Sequence, residues 1–289
     1  MPSTAPSPVP SIHNGNPLLG EWSGQAGLPP FDRIKPEHFR PAFDAEMRGQ
    51  LAAIAEILRN NSGNGGKPSF DNTIVALELS GLGLDRVAAV FFHLSSADTN
   101  AALQAVEREI APLLARHSNE FYLNAPLFRR IEAVWQGRAA LDPEGRRVTE
   151  RYHTNFVRAG AALPAEGKQR LAAITERLAE IGTLFGQNVL ADEASFMLEL
   201  DAPDDLAGLP ESLVAAAAEA AAERGLPGKH VITLSRSSIE PFLQFSTRRD
   251  LREKAFAAWV KRGEFGGATD NRALISEMIA LRAERARLM

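Results

Sequence analysis

The chain has 289 residues, of which 45% are apolar, and this length and composition are typical of a globular protein with a buried core. Its formal charge is -4, with 36 acidic and 32 basic side chains interleaved, so it lacks the basic excess that attracts nucleic acid. Cysteine is absent, which excludes disulfides and thiolate chemistry and favours a reducing compartment. We therefore expect a cytoplasmic protein without a nucleic-acid partner.

The amino-terminal segment is rich in Pro, Ser, Gly and Asn and shows no sustained hydrophobic period over residues 1–30. It also lacks the features of a secretory signal, and no apolar run in the chain approaches the ~18 residues of a membrane span. We expect no membrane partner, a flexible or surface-lying tail over residues 1–30, and one helical region over residues 31–289. Regular structure is predicted to begin near Pro36.

Apolar residues recur every three or four positions through most of this region, which predicts amphipathic helices. The successive stripes run from Phe39 to Leu58, Val87 to Leu94, Val106 to Leu114, Val148 to Ala159 and Leu171 to Val189. The Asn- and Gly-rich run at 60–66 ends the first helix. The fourth helix has Asp142 placed as its N-cap and Pro143 at its first position. The spacing in the fifth predicts a long helix with a coiled-coil-like seam.

Two short segments have strand character, one from Ser195 to Leu200 and one from His230 to Leu234. An alanine-rich helix over residues 210–224 lies between them, with Gly225 as a candidate C-cap. Further helices are predicted just after Ser235, near 247–263 and over 269–289. The predicted fold class is mostly α, an irregular multi-helix domain with a small two-stranded β ribbon near residues 195–234.

The final predicted helix carries a stripe of Leu274, Met278, Leu281 and Leu288 and reaches Met289 without a Gly, Asn or Pro to close it. This pattern favours a chain that ends inside a helix. The stripe also predicts an apolar surface suited to a further part of the protein.

Histidine spacing argues against a zinc-peptidase site in the chain. Such a site needs two histidines one helical turn apart with a glutamate between them, as in His-Glu-x-x-His. The six histidines are His13, His38, His93, His117, His153 and His230, and the smallest separation, between His93 and His117, is 24 residues. His117 lies on an apolar stripe and is predicted to be a hydrogen-bonded core or edge residue, whereas His93 and His153 are predicted to be solvated. We expect no catalytic, metal or cofactor-binding residue in this chain.

Other chemistry-bearing groups have structural explanations. Gly81-Leu-Gly83 follows a helix and predicts a helix break rather than a dinucleotide loop. Ser235, Ser237 and Ser238 are interpreted as helix caps, and the pairs Asp192-Glu193 and Asp204-Asp205 as surface groups at helix or turn boundaries. The many arginines beyond position 247 predict a solvated surface. If the chain contacts a peptide carboxylate, one of those guanidinium groups is the preferred donor.

Longer strings in the sequence are more specific than any site motif. They include Phe31-Asp-Arg-Ile-Lys-Pro-Glu-His-Phe-Arg-Pro-Ala-Phe-Asp44, Phe70-Asp-Asn-Thr-Ile-Val-Ala-Leu-Glu-Leu-Ser-Gly81, Arg86-Val-Ala-Ala-Val-Phe-Phe92, Asp205-Leu-Ala-Gly-Leu-Pro210, Leu251-Arg-Glu-Lys254 and Leu281-Arg-Ala-Glu-Arg285. In this order they resemble the amino-terminal region of the thimet oligopeptidase family, from Asn16 to the end of the chain. Phe121-Tyr-Leu-Asn124, Ala133-Val-Trp-Gln136 and Phe156-Val-Arg-Ala-Gly160 are most similar to its bacterial peptidyl-dipeptidase branch.

The resemblance implies a zinc metallopeptidase that removes carboxy-terminal dipeptides from short peptides. In that family the His-Glu-x-x-His helix lies in the carboxy-terminal half, so this chain is expected to be the non-catalytic half that forms one wall of the substrate channel. Its expected partners are the catalytic half and short peptides. Three alternatives stay open: an oligopeptidase A-like endopeptidase, a stand-alone helical module that binds peptides or proteins, and a different hydrolase on the same scaffold.

Overall fold

The first long helix, α1 (Pro36–Arg59), begins at the predicted residue and buries Phe39, Phe43, Met47 and Ile54 on one side. These residues recur at helical spacing, so the apolar stripe faces the core. The computed structural model describes residues 15–23, 25–59 and 66–289. The run that was predicted to end α1 therefore lies outside the described residues, except for Gly66.

The remaining elements follow α1 in chain order. The helices are α2 (Ala76–Ser80), α3 (Leu82–Ala97), α4 (Ala101–Tyr122), α5 (Ala125–Gln136), α6 (Pro143–Arg158), α7 (Ala165–Ser195), α8 (Glu211–Glu223), α9 (Arg236–Phe245), α10 (Arg249–Val260) and α11 (Arg272–Leu288), and the strands are β1 (Leu198–Leu200) and β2 (His230–Ile232). A π-helical turn, Phe70–Val75, precedes α2. The predicted fold class, mostly helical with a small ribbon, is confirmed.

Local sequence signals account for several of these boundaries. Asp142 accepts a hydrogen bond from the backbone N–H of Gly145 at 2.6 Å, and Pro143 occupies the first position of α6, as predicted. Gly225 follows α8 with a φ of +75°, as expected for a residue that ends a helix. Helix α5 was not predicted, although Asn124 caps it by accepting from the backbone N–H of Leu127.

Residues up to Glu180, together with Glu284–Met289, form the first of two compact units. One apolar cluster joins α1, α3 and α4, where Phe91 makes edge contacts with Phe39 and Phe43. A second cluster joins the end of α1 to α2, α5 and α6 around Phe156, which is fully buried. The aromatic and aliphatic side chains of six helices thus form the framework of this unit, arranged as two clusters.

Part of the predicted tail packs against this framework. Leu18 is only 1% exposed and belongs to the cluster of α1, α3 and α4. The Asn16 side-chain amide donates to the carbonyl oxygen of His38, and the guanidinium of Arg86 lies 4.0 Å from the centre of the Trp22 ring. Residues 1–14 and 24 lie outside the described part of the chain.

The second compact unit is Ile181–Ala283, which contains the ribbon. Strands β1 and β2 pair in antiparallel fashion with Glu199 opposite Val231. Helices α8, α9 and α10 cover the ribbon, and their buried side chains include Leu213, Phe242 and Ala255. Among the described residues, no helix combines the length and apolar character required to cross a membrane.

Candidate functional site

The best-formed cavity that we find in the described residues lies in the first unit and has a volume of about 490 Å³. Helix α6 lines it with Val148, Arg151, Tyr152, Asn155 and Phe156. Counted from Val148 they fall at i, i+3, i+4, i+7 and i+8, so they lie on one helix face. The stripe that the sequence predicts from Val148 to Ala159 therefore serves both the core and a cavity wall.

The other walls come from four other helices. They contribute Gln50 of α1, Leu77 and Glu78 of α2, Leu82 and Asp85 of α3, and Phe121 and Tyr122 of α4. Acidic, aromatic and amide groups thus line one cavity, and convergent polar groups of this kind are typical of a ligand site.

Gly81 and Gly83 allow α1 to approach the junction of α2 and α3. A Cβ at Gly81 would lie 3.0 Å from the side-chain nitrogen of Gln50, and one at Gly83 would lie 2.0 Å from a carboxylate oxygen of Glu46. The predicted helix break is confirmed, because Gly81 separates α2 from α3. The absence of side chains at Gly81 and Gly83 also leaves room for Gln50 and Glu46 of α1.

His117 orients one amide of the cavity wall. Its Nε2 lies 2.6 Å from Oε1 of Gln50, while its Nδ1 has no hydrogen-bond partner in the described residues. Burial lowers the pKa of His117, and the negative charge of Glu120 only partly opposes this. A neutral imidazole that carries its proton on Nε2 satisfies this geometry. The prediction of a hydrogen-bonded core histidine is confirmed.

Burial and nearby carboxylates both raise the pKa values of the two tyrosines on the cavity wall. The Tyr152 hydroxyl donates to a carboxylate oxygen of Glu78. Burial is the main reason that the pKa of Tyr152 is raised. The hydrogen bond to Glu78 and the negative charges of Glu78 and Asp85 raise it further. Burial also raises the pKa of Tyr122, again with a contribution from Asp85. Both phenols therefore stay protonated at neutral pH.

Two charged groups on the cavity wall have no polar partner in the described part of the chain. The Asp85 carboxylate accepts no hydrogen bond there, and the Arg151 guanidinium forms no ion pair. No Ser or His lines the cavity, so it offers no hydroxyl and imidazole pair for nucleophilic catalysis.

None of the described histidines lines the cavity, although His117 contacts Gln50 on its wall. His93 is exposed, as predicted, whereas His153 is only half-buried and stacks on Trp135 with ring centres 4.3 Å apart. The prediction of a solvated His153 is therefore incomplete, because an aromatic neighbour from α5 covers one face. In the described residues, no three His, Asp or Glu side chains are grouped closely enough to bind a metal ion. His13 lies outside them.

The interpretation of the acidic pairs as surface groups is wrong for Asp192 and Asp205. Asp192 is 2% exposed and accepts from the backbone N–H of Gly263 at 2.7 Å and from the Thr269 hydroxyl at 2.5 Å. Asp205 is 7% exposed, accepts from two backbone N–H groups and pairs with Arg248. Hydrogen bonds to these buried carboxylates offset the cost of removing them from water.

The serines before α9 only partly fit the capping interpretation. Ser235 occupies the N-cap position but makes no capping hydrogen bond with its side chain. Instead, the Ser238 hydroxyl accepts from the backbone N–H of Thr233 at 3.0 Å. These serines join the end of β2 to α9.

Several arginines beyond position 247 are held by neighbouring carboxylates. Arg262 lies 2.6 Å from Glu193, and Arg248 contacts both Asp205 and Asp250. Arg249 and Arg252 instead line a shallow cavity of about 410 Å³ beside Phe256. A peptide-carboxylate contact from this group stays a prediction.

Sequence reasoning did not single out the residues of the main cavity. Glu78 and Asp85 flank the Gly81-Leu-Gly83 segment, and two glycines so close together were the available signal that side chains from elsewhere approach there. The residues from α1, the α2–α3 segment, α4 and α6 are distant from one another in sequence, so periodicity alone does not predict their meeting.

Comparison with known proteins gives clear relatives. The chain is 40% identical over 276 residues to the dipeptidyl carboxypeptidase of Escherichia coli (strain K12), a match that covers 95% of this chain and 40% of the relative. The dipeptidyl carboxypeptidase of Salmonella typhimurium is 39% identical over the same length, and oligopeptidase A of Haemophilus influenzae is 30% identical over 282 residues. No family model matches the chain.

The chain spans about 40% of the length of these curated relatives. The dipeptidyl carboxypeptidases are more similar to it than the oligopeptidases A, in the order that the sequence strings predict. The chain is thus a homologue of the dipeptidyl carboxypeptidases and, more distantly, of the oligopeptidases A, and its predicted resemblance to the thimet oligopeptidase family is confirmed.

Proposed function

We propose that the chain is the non-catalytic, amino-terminal part of a zinc-dependent peptidyl-dipeptidase and forms one wall of its substrate channel. The observation that carries this proposal is the 40% identity over 95% of the chain to a dipeptidyl carboxypeptidase of which the chain spans only 40%. The same proposal implies two partners. One is a further segment that contains the catalytic residues, and the other is the short peptide substrate. It also implies a cytoplasmic location.

The described residues do not fit a catalytic zinc. Such a site requires several imidazole or carboxylate ligands around one point, whereas Nε2 of His117 lies within hydrogen-bond distance of Gln50 and the ring of His153 stacks on Trp135. We therefore assign zinc to residues outside this chain and derive no catalytic step through it. The contribution proposed for this chain is to shape the channel and to hold the peptide.

The first test uses the purified chain alone. We expect far less than one zinc per chain by elemental analysis and no release of dipeptides from short peptides, because the chain provides no set of ligands for the metal. One tightly bound zinc per chain, or a peptidase activity that chelators abolish, contradicts the proposal.

The second test uses a chimera. The segment of the Escherichia coli dipeptidyl carboxypeptidase that aligns with this chain is replaced by the chain itself, and carboxy-terminal dipeptide release is measured at fixed zinc. We expect zinc-dependent activity, whereas the same relative with the segment deleted is the inactive control. A folded chimera that binds zinc but releases no dipeptide argues against the channel-wall role.

The oligopeptidase A-like alternative predicts different products. An endopeptidase cleaves peptides whose carboxyl end is amidated, whereas release of a carboxy-terminal dipeptide requires a free carboxylate that the enzyme recognises. The lower identity to oligopeptidase A, 30% against 40%, favours the dipeptidase. Mass spectrometry of the products from free and amidated peptides separates the two.

A stand-alone binding module is the second candidate function, and the cavity of the first unit is the observation that favours it. The cavity brings charged and aromatic groups together within one compact unit. The coding sequence that follows Met289 distinguishes the two proposals. A continuation into a His-Glu-x-x-His segment supports the peptidase, and an immediate stop codon supports the module.

A further inference from the structure

We propose that the cavity bounded by α1, α2, α3, α4 and α6 binds a cationic amine or guanidinium group carried on an apolar stem, as in a basic peptide side chain. The ligand contacts are assigned to the carboxylates of Glu78 and Asp85 and to the rings of Phe121 and Tyr122. The proposal goes beyond the channel-wall role, since it concerns a ligand class for this cavity and requires no peptide hydrolysis.

The charges on the cavity wall are the first argument. Glu78 uses one carboxylate oxygen to accept from Tyr152, which leaves its other oxygen available, and Asp85 accepts no hydrogen bond in the described residues. Both carboxylates face a cavity whose tyrosines have raised pKa values, partly because of these negative charges. Two carboxylates outweigh the one cation on the wall, Arg151. A positively charged group is therefore attracted into the cavity.

The aromatic rings are the second argument. The rings of Phe121 and Tyr122 lie 4.8 Å apart, are half-buried and line the cavity, and the fully buried Phe156 packs behind them. Aromatic faces attract ammonium and guanidinium groups, and their apolar surface suits the methylene stem of such a group. The carboxylates suit the charged end of a lysine or arginine side chain, and the rings suit its apolar stem.

The size of the cavity agrees with this ligand. Its volume of about 490 Å³ is within the range of small-ligand sites and exceeds the needs of one side chain. The same chemistry is present in small free amines, so the experiment includes both sources.

Binding is tested on the full chain by isothermal titration and by amide chemical shifts of ¹⁵N-labelled protein. The probes are tripeptides blocked at both ends, with lysine, glutamate or alanine between two alanines, and butylamine as a non-peptide amine. We expect the lysine peptide to bind and to shift resonances of α2, α3 and α6, and the glutamate and alanine peptides to bind at least about ten-fold more weakly.

Variants of the charged residues make the test specific. Glu78→Gln and Asp85→Asn should each weaken binding of the lysine peptide about five-fold, since exposed ion pairs contribute modestly. Arg151→Gln removes a repulsive charge, so it should bind the peptide equally or more tightly. Glu219→Gln changes an exposed carboxylate of α8, in the second unit, and should leave binding unchanged. Circular dichroism of each variant confirms that it is folded.

Three results overturn the proposal. They are absence of lysine-peptide binding at millimolar concentration, unchanged affinity in the Glu78→Gln/Asp85→Asn double variant, and a preference for the glutamate peptide that Arg151→Gln abolishes. Butylamine binding with the same dependence on Glu78 and Asp85 supports a small amine, and tighter binding of the lysine peptide supports a peptide. These binding measurements require neither zinc nor peptidase activity. A failure of this proposal can therefore be distinguished from a failure of the proposed function.

Discussion

Asp192 shows how much a single buried carboxylate contributes to the second unit. It lies near the end of α7, and it accepts hydrogen bonds from the segment that connects α10 to α11, through Gly263, Phe265 and Thr269. A connecting segment has few hydrogen bonds of its own, so a fixed acceptor determines its path. The neighbouring Glu193 binds Arg262 at the start of the same segment.

Replacing Asp192 with Ala should lower the free energy of unfolding by about 2–4 kcal/mol, because it leaves buried donors without an acceptor. Urea denaturation measures this loss. The control is Glu223→Gln, where the side chain is 69% exposed and a change within about 0.5 kcal/mol is expected. Equal stability of the Asp192 and Glu223 variants would show that the hydrogen bonds to Asp192 do not stabilise the fold.

His117 should make stability depend on pH. Burial lowers its pKa below the ordinary value of 6.5, so the unfolded chain takes up a proton at a higher pH than the folded chain. Its stabilising contribution is complete above about pH 6.5 and declines as the pH falls below that value. His153 has a lowered pKa as well, so it adds an effect of the same sign.

We therefore expect the free energy of unfolding to decrease from pH 7.5 to pH 5.5, and to decrease less in a His117→Gln variant. Glutamine keeps an amide donor for Gln50 but does not titrate. Urea denaturation of both proteins at the two pH values provides the measurement. An identical pH dependence in the two proteins would exclude His117 as a source.

At the scale of the elements, two glycines have opposite roles. Gly208 has a φ of +87°, and a Cβ there would lie 2.4 Å from the backbone oxygen of Phe245. The backbone N–H of Thr247 donates to the carbonyl of Ala207 at 3.1 Å, which brings the two segments close together. Gly182 lies within α7 with no atom within 4 Å of the position of a Cβ.

Gly208→Ala should therefore destabilise the protein by about 2–4 kcal/mol, since strain from the positive φ adds to a backbone clash. Gly182→Ala should stabilise it by about 0.5–1 kcal/mol, because alanine favours the helix and nothing obstructs its methyl group. Thermal unfolding of the two variants shows the difference in sign. If the Gly208→Ala protein were as stable as the parent, the segments around Gly208 and Phe245 would be able to move apart without loss of stability.

Helix α6 combines a core residue with a surface residue in adjacent positions. Phe156 is fully buried among the rings of Phe121, Tyr122 and Phe128, whereas Val157 is 39% exposed. Phe156→Ala should cost about 3–5 kcal/mol, and Val157→Ala less than about 1 kcal/mol. Chemical denaturation separates them, and similar losses would contradict the packing of this helix. Ile181, which the sequence also places in the core, is fully buried.

At the scale of the whole molecule, large apolar side chains stay exposed on several helices. On α10, Phe256 is 51% and Val260 57% exposed, and on α11 Ile279 is 63% exposed. The predicted stripe of α11 is half-buried at Leu274, Met278, Leu281 and Leu288, so the exposed apolar side chains of this helix lie outside that stripe. Exposed groups of this kind are typical of surfaces that contact another protein segment.

The isolated chain should therefore bind a hydrophobic dye or self-associate. Replacing Phe256 and Val260 with Ser should lower the dye fluorescence by about half or more, because α10 carries both side chains one helical turn apart. Dye titration and sedimentation velocity test this with Val157→Ser as the control. Monomeric protein without dye binding would contradict the expectation.

The sequence by itself determined most of the helical segments, though not α5, where several of them begin and which two segments pair as strands. These features depend on neighbours within one or two turns, such as Asp142 before Pro143 or the apolar spacing from Phe39 to Leu58, and such information is local. The same is true of the relation to the peptidases, which depends on the order of residues in extended strings.

Only the tertiary structure decided which polar groups are buried and which side chains meet. Asp192 resembles a surface acid in the sequence, yet donors more than 70 positions away make its burial possible. Gln50, Glu78, Asp85 and Tyr152 meet in one cavity because α1, α2, α3 and α6 pack together. Burial and contact between distant segments depend on the packing of whole helices, and a local pattern of residues contains no information about that packing.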